Sequence, residues 1–477
     1  MPNTSQAAER RRWLALYVLC MGVLMIVLDT TIVNVALPSI RADLGFNDAS
    51  LSWVVNAYLL TFGGFLLLGG RLGDLFGHRR MFIAGIVLFT LTSLLCGLAT
   101  TRAVLIAARG VQGLGGALVT AVALSLIMSL FTTPADRAGA MGVYGFVCAS
   151  GGSVGVLLGG LLTRTLNWHW VFLVNLPIGV LVCALCLRLL ARDTPERLPA
   201  RLDILGAATV TAALMLAVYA TVEASRIGWS APLTLGRLAG AALLFAAFLV
   251  LEVRVRAPLI PLRLFRLRNL ATANAVGILW AAAMFSWFFM SALYMQFVLG
   301  YDALRVGLAF LPANLIMAAF SLGLSARVVL RFGLRGPIVF GLMLAAAGLA
   351  LFARTPVDGS FLGAVLPGMV LLGVGAGIGF NPVLLSAMSD VGEHESGLAS
   401  GLVNTSFLLG GSLGLAILAS VAAARSAALR DAAAALKAAL AAGFGLAFFV
   451  GAAFALLAAA LAALLISARG SAAAASA

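Results

Sequence analysis

The first feature of this sequence is how little charge it carries. Charged residues make up 10% of the 477 residues, and Lys437 is the only lysine. Soluble globular domains carry about 25% charged residues, so a soluble globular fold is excluded. A nucleotide P-loop needs a lysine in its G-K-(S/T) step to reach the phosphates. The glycine clusters at 113–116 and 151–160 therefore encode no ATPase motor.

Cysteine and histidine are also scarce. The five cysteines all fall inside apolar runs, where disulfide frameworks are not built. Cys183 and Cys186 form a C-x-x-C step without a His or acidic neighbour, so we predict no metal site and no cofactor. A membrane enzyme would need a second deep acid, His or Ser constellation. The sequence shows none, so we predict no catalytic residues and no enzyme.

Long apolar runs dominate what is present, since 62% of the residues are hydrophobic. A spanning helix needs about 20 mostly apolar residues, and the sequence predicts an all-α integral membrane protein with 14 transmembrane helices. The predicted spans are 14–37, 51–69, 81–99, 103–130, 140–162, 170–190, 202–222, 233–251, 272–298, 306–329, 337–353, 361–388, 397–422 and 444–467. They form a six-helix bundle at 1–200, two inserted helices at 201–255 and a second six-helix bundle at 256–477.

The positive charges predict the orientation. Loops and tails on the side of the amino terminus hold 20 of the 31 Lys and Arg residues, and the opposite side holds 10. Positive charge is retained on the cytoplasmic side, so both termini are predicted to be cytoplasmic. The net charge of +14 is spread over many turns rather than gathered on one face, which argues against nucleic acid as a partner.

A weak internal repeat relates the two bundles. Shifting the chain by 256 residues places Arg327, Gly333 and Arg335 on Arg71, Gly77 and Arg79. Two pseudo-symmetric six-helix halves are implied. Repeats of this kind place a substrate site near the bilayer midplane and work by rocking about it.

The loop at 70–80 is the most specific piece of the sequence. It reads Gly-Arg-Leu-Gly-Asp-Leu-Phe-Gly-His-Arg-Arg, a short basic turn broken by glycines between two apolar runs. It resembles the G-x-L-x-D-x-x-G-(R/H)-(R/K)-(R/K) loop of the major facilitator superfamily of secondary transporters. The alternative is a plain positive-inside turn. The resemblance implies conformational gating by Gly70, Asp74, Gly77, Arg79 and Arg80.

Four further motifs follow in order along the chain: three resemble the fourteen-helix drug:proton antiporter family, and the one at 109–113 resembles the R-G-x-Q-G motif of the same superfamily. They are Leu-Asp-Thr-Thr-Ile-Val-Asn-Val-Ala-Leu-Pro at 28–38, Arg-Gly-Val-Gln-Gly at 109–113, Asn-Trp-His-Trp-Val-Phe-Leu-Val-Asn-Leu-Pro-Ile-Gly at 167–179 and Gly-Leu-Ala-Ser-Gly-Leu-Val-Asn at 397–404. The resemblance implies a monomeric exporter of lipophilic drugs or antibiotics that exchanges them for protons. It would contact membrane lipid as a multi-pass protein of the bacterial cell (inner) membrane.

The fifth predicted span departs from that family. Antiporters of this type carry a G-P-x-x-G-G step, and this chain has Val156 where the proline would stand. A proline would kink the helix by removing a backbone hydrogen bond. Two compatible interpretations stay open, an antiporter step or small residues that let helices approach closely. The candidate residues of this motif are Gly151, Gly155, Gly159 and Gly160.

Two charges, Asp29 and Arg109, lie deep inside predicted spans. Burying either costs at least about 2.5–3.5 kcal/mol. Asp29 lies eight residues before Leu37 and Arg109 six residues after Ala103, about 12 Å and about 9 Å from the same membrane side. The shared depth predicts that they interact, either as a static ion pair or as a proton-coupling site. In the second case Asp29 would carry the proton and Arg109 would orient its carboxylate.

The substrate is predicted from the count of deep acids. Asp29 is the only deep carboxylate, and one carboxylate offsets one charge, so the predicted substrate is small, lipophilic, and neutral or monocationic. An importer or facilitator on the same fold and a non-transporting sensor are the alternatives. Weaker candidates for polar groups in the substrate cavity are Asn34, Gln112, Gln296, Asn314, Asn381 and Asn404.

Overall fold

The computed structural model describes residues 3–46, 51, 53–191, 203–228, 230–255, 262–301, 303–392, 395–431 and 435–466. Throughout these ranges regular structure is helical, without a β-strand. In the first half the helices are α1 (Asn3–Leu44), α2 (Trp53–Phe76), α3 (His78–Gly97), α4 (Arg102–Leu130), α5 (Pro134–Thr165), α6 (Trp170–Leu173 and Asn175–Leu189), α7 (Ile204–Ile227) and α8 (Pro232–Arg254).

The second half begins with a short 3-10 helix at Leu262–Arg266. The helices that follow are α9 (Arg268–Leu293, then a π-helix at Tyr294–Val298), α10 (Ala303–Ala319, a π-helix at Phe320–Leu324, then Ser325–Phe332), α11 (Arg335–Phe352), α12 (a π-helix at Phe361–Val365, then Leu366–Met388), α13 (Ser396–Asp431) and α14 (Leu436–Leu465). Each predicted span falls on one of these fourteen helices.

The helices are long and apolar enough to cross a membrane. Within the described ranges, 13 of them pass this criterion singly, and the bent helix α5 raises the number to 14. The hydrocarbon core of a membrane contains no water to replace a lost hydrogen bond. Backbone N–H and C=O groups there must therefore be bonded within their own helix. The predicted all-α integral membrane fold is confirmed.

The contacts divide the chain into two compact units. The first contains Met1–Leu264 and Val391–Thr405, and the second contains Phe265–Asp390 and Ser406–Ala477. In the first unit α7 packs on α2, where the rings of Trp53 and Tyr219 lie 5.8 Å apart and Met215 covers Gly64. Helix α8 packs on α7. The division into segments 1–200, 201–255 and 256–477 stays a prediction.

The same helix-end contact occurs in both units. In the first, Arg11 at the start of α1 donates to the carbonyls of Arg188 and Leu189 at the end of α6. In the second, Arg268 at the start of α9 donates to the carbonyls of Leu464 and Leu465 at the end of α14. A cation at a helix C-terminus satisfies orphan carbonyls and favours the helix dipole.

Each copy of the repeated segment contains a glycine with positive φ between two helices. Gly77 has φ of +99° between α2 and α3, and Gly333 has φ of +70° between α10 and α11. Only glycine adopts this region without strain. The two glycines are the pair that the 256-residue shift aligns, so the sequence repeat corresponds to a structural one.

Helix α5 bends although Val156 stands where the resembled antiporter motif has a proline. Its parts Pro134–Gly152 and Leu157–Thr165 meet at 44°. Gly151, Gly152 and Ser153 lie at the bend, and Gly/Ser pairs are one of the few causes of a sharp kink. The missing proline at position 156 therefore does not leave the helix straight.

The glycine row of α5 lies against α1. A Cβ atom on Gly155 would overlap Thr31 Oγ1 and lie 3.1 Å from the carbonyl oxygen of Leu28. A Cβ atom on Gly159 would lie 2.8 Å from the carbonyl oxygen of Ile32, and Gly151 meets Val27. The row thus packs on the segment of α1 that includes Asp29. Small residues that let backbones approach are the main device of helix packing in membranes.

We predict that Gly155→Ala lowers the thermal stability of the purified protein, because the new methyl group displaces α5 from α1. Overpacking of this kind costs about 1–3 kcal/mol. Gly152→Ala is the matched control, since a Cβ atom there has no neighbour within 4 Å. Thermal unfolding of both variants in the same detergent tests the contact. Equal stability of the two would contradict it.

Candidate functional site

Asp29 and Arg109 meet inside the first unit. Arg109 Nη1 lies 2.5 Å from Asp29 Oδ2, and the side chains are 1% and 0% exposed. Asp29 comes from α1 and Arg109 from α4, so the equal depth predicted from their positions in the two spans corresponds to direct contact. Inside a protein such a charge-assisted hydrogen bond is stronger than in water, because the local dielectric is low.

Gln112 joins this pair one turn along α4. Its Oε1 accepts from Arg109 Nη1 at 2.7 Å, and its Nε2 donates to Asp29 Oδ1 at 3.2 Å. Residues three apart on a helix share a face, which is why Arg109 and Gln112 reach the same carboxylate. Gln112 and Asn34 were both predicted to supply polar contacts near the pair, and of the two only Gln112 bonds to it.

Two residues that the sequence analysis did not select complete the network. Ser93 of α3 accepts from Gln112 Nε2 at 2.7 Å and from Asn175 Nδ2 of α6 at 3.0 Å. Asn175 Nδ2 also lies 3.4 Å from Asp29 Oδ1. Ser93 is 0% and Asn175 1% exposed. Asn175 belongs to the motif at 167–179, so that motif was the signal; nothing in the sequence singled out Ser93.

Helix α2 holds the other side of Arg109. Its Nε donates to the carbonyl of Val54 at 2.9 Å, and its guanidinium lies 4.3 Å from the ring centre of Tyr58. Phe172 of α6 faces the same guanidinium at 5.7 Å. Arginine suits this position because its planar group can donate sideways and stack on a ring at once. Five helices of the first unit, α1, α2, α3, α4 and α6, therefore converge on one buried ion pair.

An apolar cluster lies on the Leu44 side of Asp29. Its members come from α1, α2, α3, α4, α6 and the segments next to them and are nearly all inaccessible to solvent: Ile32, Val33, Ala36, Ile40, Phe46, Val54, Cys96, Ala99, Leu105, Ala108, Trp168, Val171 and Phe172. Such packing excludes water from this side. The ion pair is therefore weakly screened.

The other polar candidates do not join this network. Asn34 is exposed and donates to the carbonyl of Thr30 on its own helix. It follows Asp29 by five positions, and residues five apart on a helix lie on different faces. Asn404 Nδ2 donates to the backbone carbonyl of Ser400 at 2.9 Å and lies 3.5 Å from the carbonyl of Thr120.

The second unit holds the remaining three candidates. Gln296 is exposed in the π-helix of α9, and Asn314 of α10 is buried. Asn381 of α12 is 1% exposed and donates to Ser321 and Ser325 of α10 at 3.3 and 3.5 Å. The roles of all these residues in a substrate cavity stay predictions.

Asp74 in the 70–80 loop region caps a helix. Its carboxylate accepts from the backbone N–H of Gly397 at 2.7 Å and of Leu398 at 2.8 Å, at the start of α13. His78 lies 2.9 Å from the same carboxylate. The Asp74 side chain is 1% exposed. A carboxylate at a helix N-terminus satisfies orphan N–H groups and favours the helix dipole.

Gly70 allows this close approach. A Cβ atom there would overlap the carbonyl oxygen of Gly397, and one on Gly397 would lie 2.5 Å from the carbonyl oxygen of Gly70. Arg79 donates to the carbonyl of Leu187 near the end of α6 at 3.0 Å, and Arg80 also has an interaction partner. The predicted gating residues thus link α2, α3, α6 and the start of α13 within the first unit.

Comparison with known proteins identifies the family. The pattern described as Major Facilitator Superfamily matches residues 19–415. The chain belongs to this superfamily. It is 41% identical over 418 residues to the puromycin resistance protein pur8 of Streptomyces alboniger, covering 87% of this chain and 83% of that protein. It is 42% identical over 412 residues to the cephamycin export protein CmcT of Amycolatopsis lactamdurans, covering 85% and 84%.

A solved structure of low sequence similarity supports the fold. The human organic anion transporter MFSD10 superposes with a TM-score of 0.69 at 17% identity, covering 94% of this chain and 99% of that one. Because major facilitator proteins are transporters, this chain is a multi-pass membrane transporter and not an enzyme. The resemblance stated from the sequence motifs is confirmed at the level of the superfamily.

We predict that Asp74→Asn slows transport while substrate affinity stays within about twofold. An asparagine offers one acceptor oxygen, and its NH2 group would face a backbone N–H of α13. Hydrogen bonds to a charged group contribute about 1.5–3 kcal/mol, so a tenfold slower turnover is expected. Asp74 follows Tyr58 on α2 by sixteen residues, about 24 Å along the helix, too far to touch a ligand beside Arg109.

Asp136→Asn is the control for this prediction. Asp136 lies in the first turn of α5 and forms an ion pair with Arg12 at 3.6 Å, both side chains partly exposed. Turnover and the substrate dissociation constant are measured separately, by transport in vesicles and by equilibrium binding. A large loss of affinity with normal turnover would remove Asp74 from the gating role.

Proposed function

We propose that this transporter exports small lipophilic compounds, neutral or monocationic, from the cytoplasm in exchange for protons. It acts in a bacterial cell (inner) membrane with both termini cytoplasmic, as a monomer surrounded by lipid. Its relatives named for puromycin resistance and cephamycin export support an antibiotic or antibiotic-like substrate. The excess of Arg on the amino-terminal side supports the orientation.

One observation carries the proton-coupling part of the proposal. Asp29 is fully buried at membrane depth, and its carboxylate is bonded to Arg109, Gln112 and Asn175. Replacing a buried ion pair by apolar residues of similar volume is often neutral or stabilising. Stability alone therefore gives little reason to bury one, whereas an ionisable residue inside a membrane marks a transport or proton pathway by default.

Proton exchange follows from the chemistry of this pair. Ionised Asp29 is held by Arg109 and by the two amides. When the site opens to the side of higher proton concentration, water reaches the carboxylate, a proton binds, and the attraction to Arg109 falls. The Arg109 guanidinium can then shift away from Asp29 toward its other partners, the carbonyl of Val54 and the ring of Tyr58. The substrate leaves on that side. The protonated carrier then returns, the proton is lost inside, the ion pair re-forms, and binding of the next substrate inside completes one exchange.

Segment 70–80 comprises the end of α2, Gly77 and the first residues of α3. It is proposed to control the step between the inward-open and outward-open states. In the described arrangement the start of α13 is held by Asp74 and by the contact of Gly70 with Gly397. Breaking these bonds moves α13 away from α2. Both N–H groups bind one carboxylate, so separation of the two helices breaks both bonds, and this suits a two-state gate.

We predict that Asp29→Asn abolishes transport driven by a pH gradient, because the amide cannot bind and release a proton. Asp29→Glu keeps a carboxylate and is expected to retain gradient-driven transport at a reduced rate. The assay is efflux from the cytoplasmic face in everted vesicles with a pH-sensitive dye, starting with puromycin and a cephamycin. Transport by Asp29→Asn that still follows the gradient would remove Asp29 from the proton path.

The controls separate coupling from folding and from direction. Asp29→Asn leaves Arg109 buried without its counterion, which costs about 3–5 kcal/mol, so each variant is first checked for monodispersity and thermal stability. Substrate counterflow without a gradient reports whether a folded variant still carries substrate. Accumulation in the opposite direction would favour the importer, and absence of any transport by the wild type would favour the sensor.

Substrate charge gives a second test. Glu223 and Glu252 are buried but lie within the last turn or so of α7 and α8, and Asp302 lies outside the described residues. Asp29 thus remains the carboxylate at the centre of a span. That carboxylate is already paired with Arg109, so a dication brings one more uncompensated charge into the site than a monocation does, and its burial costs more. We therefore predict that a lipophilic monocation is exported and its matched dication is not.

Matched pairs that differ by one quaternary nitrogen are the substrates for this comparison. Gradient-driven efflux is measured for each pair at equal concentration and equal membrane partitioning. A monocation exchanged for one proton moves no net charge, so its export is expected to be insensitive to membrane potential. Equal export of the dication would require a second acidic group in the path.

A further inference from the structure

Beyond the ion pair, the buried network includes the amides of Asn175 and Gln112 and the hydroxyl of Ser93. Proton exchange between Asp29 and solvent does not itself require these groups. Asn175 Nδ2 and Gln112 Nε2 both donate to Asp29 Oδ1, at 3.4 and 3.2 Å. Both also donate to Ser93 Oγ, at 3.0 and 2.7 Å. Two amides from different helices, α6 and α4, therefore bridge the same pair of oxygens, on α1 and α3.

The direction of these bonds is fixed by their neighbours. Gln112 Oε1 accepts from Arg109 at 2.7 Å and from the Cys96 thiol at 3.6 Å. Its NH2 group must then face Asp29 and Ser93. Both amide hydrogens of Gln112 are used, and Ser93 accepts from both amides. Arg109 therefore sets the orientation of the Gln112 side-chain amide.

Among the described residues, each hydrogen-bond partner of Asp29 is a donor: Arg109 Nη1, Gln112 Nε2 and Asn175 Nδ2. The titratable groups packed around it are Arg109 from α4, Tyr58 from α2 and Cys96 from α3, while α6 contributes the neutral Asn175 and α5 its glycines. A carboxylate, which only accepts, fits this set. A protonated carboxyl carries a hydrogen that would meet a donor.

Asn175 lies at a weak point of α6. The helix is interrupted at Val174, between Trp170–Leu173 and Asn175–Leu189. Pro177 has no N–H to give to the carbonyl of Leu173, so the ladder is broken at this turn. The contact of Asn175 with Asp29 therefore joins α6 to α1 where α6 is least held by its own hydrogen bonds.

We infer that Asn175 and Ser93 are positioning residues that make the site selective for ionised Asp29 and couple proton binding to release of α6 from α1. This inference rests on the proposed proton exchange at Asp29. When a proton binds to Asp29 Oδ1, the bond from Asn175 to that oxygen is lost, and Asn175 keeps its bond to Ser93. Helix α6 then stays with α3 and separates from α1 at its break.

The direction of the shift in proton binding depends on whether the Asn175 amide stabilises the ionised or the protonated form of Asp29. A donor to the carboxylate stabilises the ionised form, so its removal makes proton binding easier. Asn175→Leu, similar in size and without a donor, is expected to move the midpoint of the transport pH profile to about tenfold lower proton concentration, within the range expected for a hydrogen bond to a charged group. Asn175→Ala should move it in the same direction.

Ser93→Ala removes the shared acceptor and leaves both amides less well oriented, so a smaller shift in the same direction is expected. Thr92→Val is the matched control on α3. Thr92 is buried next to Ser93, but its hydroxyl bonds only the carbonyls of Leu88 and Phe89 in its own helix. Its pH profile is expected to match that of the wild type. A merely structural role of Asn175 would lower stability without moving the midpoint.

Infrared titration of the purified protein tests the inference without transport. The carbonyl band of protonated Asp29 is identified by its loss in Asp29→Asn. Its midpoint is expected to shift by about tenfold in proton concentration in Asn175→Leu or Asn175→Ala, and to stay at the wild-type value in Thr92→Val. Midpoints of both Asn175 variants within twofold of the wild type would overturn the inference.

The two hypotheses fail in different ways. If Asp29→Asn still transports with the gradient, proton exchange at Asp29 is wrong, and the positioning role has no coupling to serve. If Asp29→Asn loses gradient-driven transport while the Asn175 variants titrate like the wild type, proton exchange stands and the positioning role alone is wrong.

Discussion

The buried ion pair of Asp29 and Arg109 constrains the first unit of this transporter. Asp29 and Arg109 cannot leave water separately without a large penalty, so the helices that carry them must meet at one depth. Meeting there requires Gln112 to orient the arginine, Val54 and Tyr58 to satisfy its other face, and Ser93 and Asn175 to fill the remaining positions. The packing of α1, α2, α3, α4 and α6 follows from these few polar bonds.

Glycine supplies the close approaches that such bonds need. Hydrogen bonds of about 3 Å between helices leave no room for large side chains beside them, and lipid provides no hydrophobic force to press helices together. Gly155 and Gly159 bring α5 onto α1 next to Asp29, and Gly70 and Gly397 bring α2 onto the start of α13 next to Asp74. In both places a carboxylate and a glycine contact occur together, so a change in one changes the other.

Asp74 and Asp29 both accept hydrogen bonds from donors on other helices, but their proposed roles differ. Asp74 accepts backbone N–H groups at a helix N-terminus close to a turn, where a lost bond can be replaced by water and the cost of opening is modest. Asp29 accepts from side chains in an interior that is dry in the described arrangement, so losing a donor there is costly until the site opens to water. The first arrangement suits a gate, and the second suits a site whose bonds depend on its own charge.

Composition and periodic apolar runs determined the membrane fold, because a helix is the structure that satisfies its own backbone in hydrocarbon. They also determined that Asp29 and Arg109 share a depth, since each helical residue adds a fixed rise. Which other residues reach that pair was decided only by tertiary structure. Sequence spacing does not set the rotation of one helix against another, so Asn34 bonds only its own helix. Asn175 reaches Asp29 from a further helix, and Ser93 joins through Asn175 and Gln112.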